Sequence, residues 1–240
     1  MNGTVISSCD PVIILGGGVL NENDLNVALM HSSRVLAADG GANAAFDNDL
    51  IPEAIIGDMD SIRPDVMARA APARVHHIAE QDSTDFDKAL RHVQSPCVLA
   101  VGFSGGRLDH QMGVLHTMVA RAHQPCLLLA AEDVVFLCPP RISLDLAADT
   151  RVSLFPMGPV TGRSTGLEWP IDGLAFSPGV RSGTSNRAVG PVTLEMDAPV
   201  MLCFLPRDCL DLALKALVAL PPRPAQWSAR AAQYKDRPPS

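Results

Sequence analysis

From residue 11 to about 137, short, near-continuous apolar runs alternate with stretches of helical periodicity. The runs are Val12-Ile13-Ile14-Leu15, Val35-Leu36-Ala37-Ala38, Ala54-Ile55-Ile56, Val75 to Ala79, Val98 to Val101 and Leu127 to Ala130. A strand that is apolar at every position has both faces covered, which is the habit of parallel sheets. Between the runs, the spacing predicts helices over Glu22–His31, Pro64–Ala71, Asp85–Val93 and Asp109–Ala122. The last of these carries Met112, Leu115, Met118 and Val119 on one stripe. Alternation of this kind predicts an α/β domain with a doubly wound, mostly parallel sheet over residues 1–138.

The pattern changes at Pro139-Pro140. Ile142-Ser143-Leu144-Asp145-Leu146 and Val192-Thr193-Leu194-Glu195-Met196 alternate apolar with polar, and Gly and Pro punctuate the chain between Phe155 and Pro191. Period-two alternation predicts half-buried antiparallel strands, here a small β-sandwich over 139–220. Leu210 to Leu220 reads as a short apolar helix or strand extension, and 221–240, rich in Pro, Arg, Ala and Ser, as a loose tail.

Composition then narrows the partners. A net charge of -7 without a basic run argues against a nucleic-acid surface. No apolar run approaches membrane-span length, and the first fifteen residues hold no Lys or Arg for a signal peptide. The six cysteines are scattered, with no C-x-x-C pair, which fits buried thiols in a reducing cytoplasm.

The carboxyl ends of the predicted parallel strands are where open α/β sheets bind ligands. There the chain places Gly16-Gly17-Gly18, then Asp39-Gly40-Gly41-Ala42-Asn43, Gly57-Asp58-Met59-Asp60, Gln81-Asp82-Ser83-Thr84-Asp85 and Gly102-Phe103-Ser104-Gly105-Gly106-Arg107-Leu108-Asp109. Carboxylates gathered on such loops suit a hard cation such as Mg2+. Asp and Thr are also common as turn residues and N-caps, so each acid taken singly has a second reading. Arg107 and Asp109 suit phosphate oxygens, or else a surface pair at a helix start. The Gly16 loop lacks the G-x-G-x-x-G spacing, and G-x-x-x-x-G-K-[ST] occurs nowhere, so a Walker-type site is excluded. In the second half, Trp169 offers a face to a flat cationic heterocycle, or fills a core; Thr184-Ser185-Asn186 offer polar contacts, or form a turn.

Six stretches taken in order carry a family resemblance: Ala38 to Asn43, Ile56 to Ile62, Gln81 to Phe86, Gly105 to His110, Gly166 to Trp169 and Thr184 to Asn186. Together they resemble the successive motifs of the thiamin pyrophosphokinases. The resemblance implies an α/β domain joined to a β-sandwich, working as a homodimer with active sites at the subunit interface. It implies transfer of the β,γ-pyrophosphoryl group of ATP to the hydroxyethyl oxygen of thiamin, with release of AMP. Carried over residue by residue, Asp39, Asp58, Asp60 and Asp85 resemble the catalytic acids, with Asp58, Asp60 and Asp85 on Mg2+. In-line attack by a primary alcohol needs a proton acceptor, and Asp85 or Asp58 is the expected one. Asp39, Thr84, Arg107 and Asp109 resemble the ATP contacts; Gln81, Trp169, Ser185 and Asn186 resemble the thiamin contacts. Gly183 stands where animal members carry serine. Two other expectations compete with this one: a Mg2+-ATP-dependent small-alcohol kinase that releases ADP, and a non-catalytic nucleotide-binding protein of the same fold.

Overall fold

The computed structural model describes residues 3–80 and 82–220 and divides into two compact units, 1–131 and 132–240. The first unit holds strands β1 (Ile6–Ser7), β2 (Val12–Leu15), β3 (Val35–Ala38), β4 (Ala54–Gly57), β5 (Val75–His77), β6 (Val93–Gln94), β7 (Val98–Val101) and β8 (Cys126–Leu129). Its helices are α1 (Asp24–Leu29), α2 (Gly41–Asp47), α3 (Pro64–Arg69), α4 (Asp85–Leu90) and α5 (Leu108–Ala120). Six strands run parallel in the order β8-β7-β2-β3-β4-β5. Strands β2, β3, β4, β7 and β8 are buried at every position, as expected of strands covered on both faces. The short β1 and β6 form a separate parallel pair.

Two features of this sheet position the site. The strand order reverses at β2, whose neighbours are β3 and β7, and the loops that follow these three strands meet there. A Cβ on Gly16 or Gly18 would lie 2.6 Å from the carbonyl oxygen of Gly102. The glycine run after β2 thus serves close approach of two loops. Second, β3 and β4 pair as Ala38↔Ile56, so the acid after β3 lies beside the loop after β4. Beneath that corner Ala37, Ala42, Phe46, Ile55, Ile62 and Val66 form a buried cluster shared by β3, β4, α2 and α3, and Met59 packs against it.

The second unit holds β9 (Asp133–Leu137), β10 (Arg141–Leu144), β11 (Arg151–Pro156), β12 (Val160–Leu167), β13 (Ala175–Phe176), β14 (Thr184–Met196), β15 (Met201–Pro206) and α6 (Leu210–Val218). Every pairing within it is antiparallel. The 13-residue β14 serves three partners: β11 along Thr184–Arg187, β10 along Val192–Glu195 and β12 from Ala188 to Met196. Residues of β10 and β11 alternate between buried and open positions, which matches the period-two pattern of the sequence. Among the described residues no helix is long and apolar enough to cross a membrane.

Candidate active site

Asp39 is the first residue past β3. Its N–H donates to the carbonyl oxygen of Ile56 at 2.8 Å, which continues the β3–β4 ladder and turns the residue inward. It takes φ +41°, an uncommon conformation for a residue with a side chain, of the kind that surroundings must hold in place. The surroundings are tight: a Cβ at Gly57 would lie 2.6 Å from the Asp39 Cβ. The residue is only 2% exposed. One of its oxygens, Oδ2, accepts from the Ser61 N–H at 3.2 Å. The other, Oδ1, is buried without a hydrogen-bond partner among the described residues.

Asp58 and Asp60 flank Met59, which takes φ +69° and packs against the apolar cluster. With Met59 anchored, the two neighbouring acids turn toward Asp39. Carboxylate oxygens of Asp39, Asp58 and Asp60 lie within 4.8 Å of one another. Ser61 steadies the group, its hydroxyl donating to Asp60 Oδ1 at 2.9 Å.

Asp85 opens α4. Thr84 caps that helix, its Oγ1 accepting from the Asp87 N–H at 3.2 Å. Asp85 lies outside the 4.8 Å group and reaches it through a lysine. Lys88, with a side chain only 2% exposed, donates to Asp85 Oδ1 at 3.1 Å and to Asp58 Oδ2 at 3.2 Å. Burial pushes the Asp85 carboxyl above its ordinary range; Lys88 pulls the other way, and Asp39 and Asp58 add to the rise. For Lys88 burial alone would lower the pKa, but the bonds to Asp85 and Asp58 outweigh it and the net direction is upward.

This donor set fits a hard divalent cation. Oxygen ligands are what Mg2+ takes, and a buried, unpartnered carboxylate oxygen is costly unless something positive comes to it. Lys88 supplies one positive charge against the carboxylates of Asp39, Asp58, Asp60 and Asp85, so the corner keeps a strong negative field.

Arg107 and Asp109 sit at the β7–α5 turn, where Gly105 and Gly106 adopt φ +79° and +68°. Both side chains are exposed and bonded to each other, at 3.1 and 2.5 Å. The turn is tied to the acidic corner by Phe103, whose ring packs on that of Phe86, next to Asp85, with centroids 4.5 Å apart. On the other side of α4, Asp87 takes a two-bond grip from Arg121 at 2.7 and 2.9 Å, which holds α4 to the end of α5.

In the second unit Trp169 is 57% exposed, just beyond the end of β12. Ser185 and Asn186 lie within β14 rather than in a turn. Consecutive strand residues face opposite sides, and here Ser185 is exposed while Asn186 is buried, so the two do not line one surface. The Asn186 amide is bonded to the backbone of Trp169 in both directions. Gly183 has φ +133°, and a Cβ there would lie 2.1 Å from the Leu154 carbonyl oxygen, so this backbone has no room for serine. Gln81 lies outside the described residues, as does the tail from 221.

Sequence reasoning missed Lys88 and Ser61. The available signal for Lys88 was its place three residues after Asp85, among Phe86, Ala89 and Leu90, all buried. A lysine on the inward stretch of a short helix needs an acidic partner.

Known proteins resemble this chain along both units. A family model described as "Thiamin pyrophosphokinase, catalytic domain" matches residues 25–129, and one described as "Thiamin pyrophosphokinase, vitamin B1 binding domain" matches residues 141–201. Thiamine pyrophosphokinase 1 of Oryza sativa subsp. japonica is 30% identical over 185 residues, covering 63% of this chain and 70% of that protein. Thiamine pyrophosphokinase 3 of the same plant is 29% identical over 185 residues, covering 63% and 69%. The solved structure of thiamin pyrophosphokinase from Candida albicans matches with a TM-score of 0.70 at 16% identity, covering 82% of this chain and 90% of that one, which is a likeness of fold.

Proposed function

The chain belongs to the thiamin pyrophosphokinase family, and from that premise we propose that it transfers the β,γ-pyrophosphoryl group of ATP to the hydroxyethyl oxygen of thiamin, giving thiamin diphosphate and AMP. The observation that carries the reading is the group of Asp39, Asp58 and Asp60 at the ends of adjacent parallel strands, with one Asp39 oxygen buried and unpartnered. Phosphoryl-type transfer asks mainly for positioning and for neutralisation of charge on the phosphate oxygens.

Within that reading Asp58 and Asp60, with Asp39 beside them and Asp85 across Lys88, hold Mg2+. Bound there, Mg2+ supplies positive charge to the pyrophosphoryl oxygens. Asp58 or Asp85 takes the proton of the attacking alcohol. An Asp-to-Asn change that weakens Mg2+ binding while leaving turnover intact removes that residue from the base role. Thr84, Arg107, Asp109 and Asp39 serve ATP; Trp169, Ser185 and Gln81 serve thiamin, and Asn186 serves it through the main chain of Trp169, to which its amide is bonded. Arg107 needs only to exchange an exposed, weak pairing with Asp109 for phosphate oxygens.

The protein works as a homodimer in a reducing cytoplasm. The cysteines support the second part: all six are free, and Cys97, Cys126, Cys138 and Cys203 are buried as thiols. Light scattering on the purified chain tests the first part. The reaction is tested by incubating the protein with Mg2+, ATP and thiamin. Thiamin diphosphate and AMP in equal amounts support it; AMP formed without thiamin, or ADP in place of AMP, overturns it.

A further inference from the structure

The β12–β14 ladder runs to Leu167, which pairs with Ala188. One residue on, the Glu168 N–H donates to the Arg187 carbonyl oxygen at 3.0 Å, and the Glu168 carboxylate and Arg187 guanidinium close over it as an ion pair. At Trp169 the partner on β14 changes character. The backbone of Asn186 faces β11, opposite Val152, so it is the Asn186 side chain that meets Trp169. Its Oδ1 accepts from the Trp169 N–H at 3.2 Å and from the Arg187 N–H at 3.0 Å, and its Nδ2 donates to the Trp169 carbonyl oxygen at 2.7 Å.

A carboxamide has the same donor and acceptor pair as a peptide group. Asn186 thus extends the ladder by one residue with its side chain, at a position where the strand itself is already engaged. It is 4% exposed, and both Oδ1 lone pairs are used. We propose that Asn186 is a positioning residue that pins both polar groups of the Trp169 main chain, so that the exposed indole stands pre-ordered for the flat cationic ring of the substrate. This rests on the reading of Trp169 as the thiamin shelf. An aromatic side chain held before binding loses less freedom when the ligand arrives, which favours affinity without touching the chemical step.

The test uses the full chain carrying Trp227→Phe, so that fluorescence reports Trp169 alone. In ligand-free protein, Asn186→Ala raises acrylamide quenching of Trp169, and Asn186→Asp, which keeps the accepting contacts and loses the donated one, raises it less. In the assay Asn186→Ala raises KM for thiamin about tenfold, the equivalent of losing one good hydrogen bond. KM for ATP and kcat change less than about twofold. In a Trp169→Ala background the same change adds less than about twofold, because residues that act through one another are not additive. Full additivity overturns the proposal, because Asn186 then meets thiamin itself. Unchanged quenching in both Asn186 variants overturns it as well. Trp169→Ala with normal KM for thiamin overturns the shelf reading beneath it, and the ligand-free quenching separates that failure from a failure of the clamp. If the alanine variant does not fold, the aspartate variant carries the same comparisons.

Discussion

Lys88→Met removes an ammonium and keeps a stem of similar length. In the wild-type chain that ammonium is 3.2 Å from Asp58 Oδ2 and 3.1 Å from Asp85 Oδ1, and its side chain is 2% exposed. Deleting one partner of a fully buried ion pair costs about 3–5 kcal/mol. The Asp85 side chain is 36% exposed, so water can take over part of the lost contact, and the expected cost falls to about 2–3 kcal/mol. For a chain of this size that lowers Tm by roughly 5–10 °C. Lys88 has a raised folded pKa, so its stabilising share is complete below the ordinary lysine pKa and is lost as pH rises through the raised value. The deficit is therefore constant across neutral pH. Thermal unfolding followed by circular dichroism, with and without millimolar Mg2+, measures it. Because the variant's acids lack their built-in cation, Mg2+ raises its Tm by more than it raises that of the wild type. A Tm within about 1 °C of wild type, or an equal or smaller response to Mg2+, refutes the reasoning.

Gly57→Ala brings a methyl group to 2.6 Å from the Asp39 Cβ; turnover falls by about a hundredfold in a steady-state assay, with Mn2+ affinity reduced in parallel. Asp87→Asn breaks the two-bond contact with Arg121 that holds α4 in place, and urea unfolding shows a loss of about 2 kcal/mol. Partial desolvation and the neighbouring Arg121 lower the pKa of His123, an exposed residue, so the unfolded chain takes up the proton first as pH falls below about 6.5 and stability drops slightly there; His123→Gln flattens that small drop in unfolding curves taken from pH 7.5 to 5.

Strands buried on both faces were the most legible part of the fold. Val12–Leu15, Val35–Ala38 and Val98–Val101 are apolar at each position and are found with those bounds. Helix α2 was not legible, because it begins at Gly41, straight after Gly40, and glycine carries the signal of a loop. What requires glycine at position 41 is contact rather than a turn, since a Cβ there would lie 2.0 Å from the Leu15 carbonyl oxygen. In the second unit Gly183 and Pro191 suggested turns around Thr184–Asn186, whereas tertiary pairing on several partners carries one strand through that region. The grouping of Asp39, Asp58 and Asp60 followed from their places at strand ends, because parallel neighbours in register bring those ends together. Lys88 could not be placed in it from the chain: its contact with Asp58 spans 30 residues and depends on how α4 packs on β3 and β4. Which of the neighbours Ser185 and Asn186 turns inward, here Asn186 toward Trp169, depends likewise on strand register.

In the proposed reaction the strand-end carboxylates serve transfer of two phosphorus atoms as one unit. The most direct measurement follows label from ATP carrying radioactive phosphorus at the β position and, separately, at the γ position, in the presence of Mg2+ and thiamin. Both labels are expected in thiamin diphosphate in equal yield, with AMP unlabelled, and Asp58→Asn and Asp60→Asn abolish the transfer. Label from the γ position alone in a thiamin monophosphate, with the β label left in ADP, contradicts it.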